Sequence, residues 1–189
     1  MARFPKNDII SLIGEMPRYD LGESVGPDLR LGDVLDPSAQ PNFGEMALGY
    51  GTAQGDPRLR TLIADAHGVS TDDVVVTVGG MHALFLIAFV LCDRGDEAVA
   101  VSPMFPLPRN SLEAVGAKIR TVSLSFDRSY QLDAAAIGRH LSERTKLVSL
   151  ASPQNPSGVA SSLKIVRDIV SLMEERCPEA FLLLEMGPA

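Results

Sequence analysis

The sequence predicts an α/β protein built on an open, mostly parallel sheet with helices on both faces. Short β-branched or apolar runs recur at residues 74–78, 98–101, 118–124, 146–151 and 181–184. Longer segments with apolar residues at helical spacing separate them, and this alternation implies crossover connections between parallel strands. Glycine and proline mark the junctions.

In chain order, residues 8–15 can make a short amphipathic helix, with Ile9, Ile10, Leu12 and Ile13 on one side. Residues 17–55 are rich in Gly, Pro, Asp and Asn, so little regular structure is expected beyond a short strand at 19–21 and a helical turn at 31–35. Asp56-Pro57 reads as an N-cap followed by proline at the first helical position. Leu59, Leu62, Ile63 and Ala66 continue the helix to a stop at Gly68. The run at 74–78 is expected to be a buried strand. Residues 81–93 then form a helix apolar on nearly every side, the expected core helix, with Gly95 at its C-terminal glycine position. Helices are further predicted at 107–115, 133–141 and 162–175, between strands at 98–101, 118–124, 146–151 and 181–184. An irregular arm (1–45) thus precedes a sheet domain (46–189).

Composition narrows the function. The 189 residues carry a net charge of −7, with 46% hydrophobic and 22% charged residues. This is ordinary globular composition, and its acidic balance argues against a nucleic-acid binder, which needs a basic face. Cys92 and Cys177 are too few for a disulfide framework, so a reducing cytoplasm is expected. The longest apolar run, 83–92, covers about half of the roughly 20 residues of a membrane span, so no membrane association is expected. His67, His82 and His140 are too scattered for a metal motif. His82 has a packing role at least as readily as a functional one, Cys92 reads as a core thiol, and Arg109 and Asn110 as the start of a surface helix.

Ligands of open parallel sheets bind beyond the carboxyl ends of the strands. Three such ends are unusual here. Thr77-Val78-Gly79-Gly80-Met81-His82 joins a strand to a helix through two glycines, so backbone amides can approach an anion such as phosphate. It matches neither nucleotide-binding glycine fingerprint, and by itself it could equally be a tight turn that binds nothing. Ser102-Pro103-Met104-Phe105-Pro106 is stiff enough to hold an aromatic ring against a planar ligand, although Phe105 alone reads as readily as core. Ser152-Pro153-Gln154-Asn155-Pro156-Ser157-Gly158 is non-helical, its X-Pro bonds can be cis, and the Asn155 amide can donate to a ligand oxygen. Each could be a connecting loop. Three at successive strand ends point to one site.

Taken together, these segments resemble the fold-type I pyridoxal-phosphate (PLP) enzymes, specifically the class I/II aminotransferases, from about Leu21 to Leu184. The segment from Tyr50-Gly51 through Gly55 to Leu59-Arg60 is similar to the family's entry motif, which implies that Tyr50 reaches the cofactor phosphate of a neighbouring subunit in a homodimer. Residues 77–84 resemble the phosphate loop, with Gly80 and Met81 supplying amides. Gly95-Asp96-Glu97 matches the segment before the next strand. Pro103-Met104-Phe105 implies that Phe105 covers the pyridine ring. Asn155-Pro156-Ser157-Gly158 resembles the most specific signature, whose asparagine contacts the cofactor's phenolic oxygen and the substrate carboxylate. Gly26 corresponds to the arm glycine lining the substrate site.

The implied chemistry is transfer of an amino group between an amino acid and a 2-oxo acid, with PLP as electron sink. That chemistry also needs a lysine for the Schiff base, an acid at the pyridine nitrogen and an arginine for the substrate carboxylate. The family's aspartate position falls at Glu185 or is deleted, and the lysine and arginines correspond to positions after Ala189. None of Lys6, Lys118, Lys146 and Lys164 is placed to serve as the Schiff-base lysine. The sequence therefore reads as a truncated, N-terminal portion of the large PLP-binding domain, expected to be inactive alone, without catalytic residues of its own, and oligomeric or poorly soluble. Two alternatives share the motifs: a non-catalytic PLP-binding or dimerising remnant, and a PLP-dependent lyase. An unrelated nucleotide-binding domain lacks its fingerprint.

Overall fold

The structure is a computed structural model that describes residues 4–5, 19, 29–35, 47 and 49–186. Two compact units are present: Ile13–Thr77, and Met1–Leu12 together with Val78–Ala189. Their boundary lies at residue 78, whereas the sequence reading divides the chain at 45/46. The predicted helix at 8–15 and Gly26 lie outside the described residues, as does most of the predicted strand at 19–21.

In the first unit, α1 (Leu31–Val34) occupies the predicted helical turn. Helix α2 (Pro57–His67) begins where Asp56 accepts from the Arg58 and Leu59 amides, both at 3.0 Å, and ends at Gly68 in a left-handed conformation. Its burial departs from the simple amphipathic expectation. Arg60 is buried while Leu59 and Leu62 are exposed. The reason is a backbone clamp: Arg60 Nε donates to the Val74 carbonyl at 2.8 Å and Nη2 to that of Thr71 at 2.5 Å.

That clamp bears on a correction. Val74 is extended, but residues 74–78 belong to no sheet among the described residues, and Val78 lies in a bend. Val74 is buried, but Val75 and Val78 are exposed. A β-branched run encodes extended backbone; a strand also needs a partner with free ladder groups. Here the Val76 amide donates instead to the Gln54 carbonyl at 2.9 Å. Gly55 (φ +105°) makes this approach feasible, since a Cβ there would stand 2.5 Å from the Val76 Cβ.

The second unit holds the predicted alternation: α3 (Gly79–Leu91), β1 (Glu97–Ser102), α4 (Pro106–Val115), β2 (Lys118–Ser123), α5 (Ala134–His140), β3 (Thr145–Ala151), α6 (Leu163–Arg176) and β4 (Phe181–Glu185). The four strands lie in the order β2-β1-β3-β4, and every pair is parallel. Strand alternation divides the core in two. Val99, Val101, Val148 and Leu150 pack with Ile137, Ile169 and Met173 on the α5/α6 face. Ala98 and Leu147 pack with Ala88, Cys92 and Leu112 on the α3/α4 face. Gly116 (φ +86°) ends α4 where predicted, while Asp133 and Ser162, read as the first helical residues, are the N-caps of α5 and α6.

Helix α3 corrects a second expectation. Only Leu84 and Ala88 within it are buried, whereas Phe89 is 65% and Val90 75% exposed. Uniform apolarity does not make it a core helix in this chain, because α4 and the sheet cover only one side. It also ends at Leu91, with Gly95 (φ +95°) in the turn beyond. Among the described residues, no helix is long and apolar enough to cross a membrane.

Candidate functional site

The strand order points to a candidate site. From β1 the chain passes to β2 on one side, while β3 pairs with β1 on the other. The carboxyl ends of β1 and β3 therefore flank a switch point, where open α/β sheets form their ligand crevice. Two of the three unusual loops leave these two strands.

The loop after β1 holds Pro103, Met104 and Phe105, with Phe105 as the extended N-cap residue of α4 and Pro106 starting that helix. The loop after β3 runs from Ser152 to Gly158. The Ser102-Pro103, Ser152-Pro153 and Asn155-Pro156 bonds are all cis, which the sequence reading allowed for the loop after β3. The Phe105 amide donates to the Asn155 carbonyl at 3.0 Å. Two residues singled out separately are thus joined directly through the backbone.

Gln154 ties the same loops from within. Its side chain is buried, its Nε2 donates to the Pro103 carbonyl, and its Oε1 accepts from the Ser157 amide at 3.1 Å and from the Ser157 hydroxyl. The Gln154 backbone closes the turn through its amide on the Val159 carbonyl (2.9 Å) and its carbonyl under the Gly158 amide (2.7 Å). Sequence reading missed this role. The available signal was a long amide between two prolines, in a loop whose backbone carbonyls no helix or strand could satisfy.

Strand β4 brings in Glu185. Glu185 pairs with Ala151 in register, and its carbonyl accepts from the Ser152 amide at 2.9 Å. The side chains of Glu185 and Asn155 are exposed, while Phe105 is half-buried at the start of α4.

The start of α3 supplies the remaining elements. Val78, its N-cap residue, makes no side-chain capping bond, and its own amide donates to His82 Nδ1 at 3.3 Å. His82 therefore uses a ring lone pair locally. Gly79 (φ +72°) needs its glycine for backbone conformation. A Cβ on Gly80 would meet nothing within 4 Å, so open space lies before it. The Gly80 and Met81 amides belong to the first helical turn, where N–H groups have no partner within the helix.

Tyr50 is fully exposed in the other unit, and Gly26 is outside the described residues. Lys118 and Lys146 sit at the starts of β2 and β3, at the sheet edge opposite these loops. Lys164 lies on α6, bonded to Asp168 at 2.6 Å, and Lys6 is outside the described residues. Arg109 is exposed and bonded to Glu113 at 2.8 Å, as a surface helix start requires. Asn110 corrects the same expectation: it is buried, on the inner side of α4 with Ser111 and Ala114. Cys92 is a core thiol, its pKa pushed up to about 11 by burial and then by the nearby Asp96 and Asp93 charges. Burial raises that of Cys177 as well. Among the described residues, no cluster of His, Cys, Asp and Glu could hold a metal ion.

A family model for aminotransferases of class I and II matches residues 21–184. The chain is 28% identical over 132 residues to a probable aspartate aminotransferase of Methanocaldococcus jannaschii, covering 67% of this chain and 35% of that protein. It is 29% identical over 160 residues to an arginine–pyruvate transaminase of Pseudomonas aeruginosa, covering 77% and 40%. Among solved structures, aspartate aminotransferase from Thermus thermophilus with maleate superposes with a TM-score of 0.69 at 25% identity, over 73% of this chain and 37% of that one. The chain spans less than half the length of each.

Proposed function

Because the chain belongs to the class I and II aminotransferases, we propose that it forms the cofactor-holding part of a PLP-dependent enzyme. That enzyme moves an amino group between an amino acid and a 2-oxo acid. The observation that carries this reading is the junction of the Phe105 and Asn155 loops across the β1/β3 switch point.

The residues present suit the group. An uncapped helix start with open space before Gly80 accommodates a phosphate, and the first-turn amides of Gly80 and Met81 are oriented to hold it. Phe105, fixed at its backbone by the bond to Asn155, covers a ring face. Asn155 donates to the phenolic oxygen and the substrate carboxylate. Glu185 serves the pyridine nitrogen. Tyr50, from the second subunit of a homodimer, reaches the phosphate, and Gly26 lines the substrate side. When bound, PLP supplies the electron sink for bond breaking at the substrate Cα. The protein's own part is to bind, orient and exclude water.

The placement of the described lysines favours a second statement: this 189-residue chain binds PLP without forming a stoichiometric covalent link to it, so it does not transaminate alone. A PLP-dependent lyase shares the same grip. Two cysteines, too few for a disulfide framework, support a cytoplasmic setting, and the exposed Phe89 and Val90 support self-association, which size-exclusion chromatography tests through elution larger than a monomer. The central experiment is a PLP titration followed by absorbance. Saturable 1:1 binding is expected, and no saturation up to millimolar PLP overturns the reading.

A further inference from the structure

We infer that Gln154 is a positioning residue that locks the β1 and β3 loops into one rigid surface, an inference that rests on reading this edge as the PLP site. No ligand group need touch it. Its amide has one donor end and one acceptor end, and the partners determine which is which. The Pro103 carbonyl can only accept, and the Ser157 amide can only donate. The side chain therefore fits in one orientation and spans two loops 51 residues apart in sequence.

The site gains two things from this bridge. Phe105 stands two residues from Pro103, and its amide bonds the carbonyl of Asn155, the residue next to Gln154. With the Gln154–Pro103 bond, that makes two parallel ties between the loops, which fix the Phe105 backbone relative to the Asn155 amide. Both side chains then meet a ligand already oriented, so binding need not order them. Gln154 is buried while Asn155 beside it is exposed, a division between a residue that sets geometry and one that faces solvent.

The test compares the intact chain with Gln154→Glu and Gln154→Met, using PLP as the probe. In Gln154→Glu, an ionised carboxylate still accepts from Ser157 but turns an oxygen without a proton towards the Pro103 carbonyl. The protonated form restores the donor. Burial favours that form, so it returns as pH falls below neutrality. Two quantities are measured at pH 8 and pH 5.5, each relative to wild type: hydrogen-exchange protection of the Phe105 amide, and the PLP dissociation constant.

The glutamate variant is expected to lose about tenfold in both at pH 8, roughly the effect of one hydrogen bond, and to recover most of it at pH 5.5. The methionine variant loses both at either pH. Val99 and Val148 amides stay protected throughout, which separates loop coupling from general unfolding. Unchanged Phe105 protection in both variants overturns the inference whatever PLP does. Faster Phe105 exchange with unchanged PLP affinity overturns the positioning role. If wild type fails to bind PLP while Phe105 exchange responds, the cofactor reading falls and the positioning role with it, leaving a structural bridge. Loss of Val99 and Val148 protection in both variants overturns it as well, since Gln154 would then support the whole sheet.

Discussion

The two edges of the sheet are built on opposite principles. At the amino edge, Glu97 at the start of β1 is nearly buried and accepts from Arg120 Nε and Nη2, both at 2.8 Å, and from Ser142 Oγ at 2.7 Å. Arg144 Nη2 donates to the Gly95 carbonyl at 2.5 Å, and the Arg144 amide donates to Ser142 Oγ at 3.2 Å. These bonds are internal, and the Arg120 and Ser142 donors hold the Glu97 carboxyl at about 2, well below the usual carboxylate range. At the carboxyl edge, internal bonds fix the backbone through Gln154, while Asn155, Glu185 and the start of α3 face solvent. A charged group that consumes all its bonds internally serves the fold. Polar groups held rigidly but left facing outward serve a ligand.

This contrast should separate stability from binding. Glu97→Ala is expected to have the largest effect, costing about 2–3 kcal/mol in urea unfolding, below a fully buried pair because Arg120 is half-exposed. PLP affinity should stay within twofold, and a parallel loss of both would erase the distinction between the edges. Gly80→Val comes next, with the opposite pattern. Its Cβ meets nothing within 4 Å, so stability should change little, apart from a minor helix-propensity effect. PLP affinity should fall at least tenfold, about 1.4 kcal/mol, and an unchanged titration would remove the phosphate from this helix start.

A smaller effect is expected with pH. The Glu97 pKa is lowered by folding from an ordinary 4.5 to about 2. Its contribution to stability is therefore fully present above pH 4.5 and is lost as pH falls through about 2. Urea midpoints measured down this range should flatten in Glu97→Gln relative to wild type; identical slopes would contradict the assignment. The least change is predicted for borohydride reduction of the PLP-treated chain. Peptide mapping should find no lysine modified stoichiometrically, since Lys118 and Lys146 stand at the amino edge. One fully labelled lysine would break the contrast outright.

Much of this was legible in the residues. Asp56, Asp133, Ser162, Gly68 and Gly116 mark helix ends because capping is local chemistry, satisfied within a few residues. The four paired strands and the loops at their carboxyl ends follow from periodicity and punctuation. Less visible were properties that depend on distant partners. The β-branched run at 74–78 is plain in the sequence, but its pairing is not. The apolarity of α3 is plain, but its coverage depends on what else packs there. Asn110 looks like surface until α4 acquires a direction. The Gln154 bridge joins loops that only the strand order β2-β1-β3-β4 brings side by side.

That strand order also has a consequence in time. β1 is made early, and β2 can pair with it after a short crossover through α4. Its other flank stays open until Leu147 arrives opposite Ala98. Closing so long a loop is entropically costly and slow compared with local helix formation. A nascent chain therefore carries a half-paired β1 through α5, with one row of its backbone groups available to any passing strand. Synthesis of β3 ends that exposure and, in the same event, brings the residues after Ala151 beside those after Ser102. The edge that carries the candidate site is thus assembled as the sheet closes.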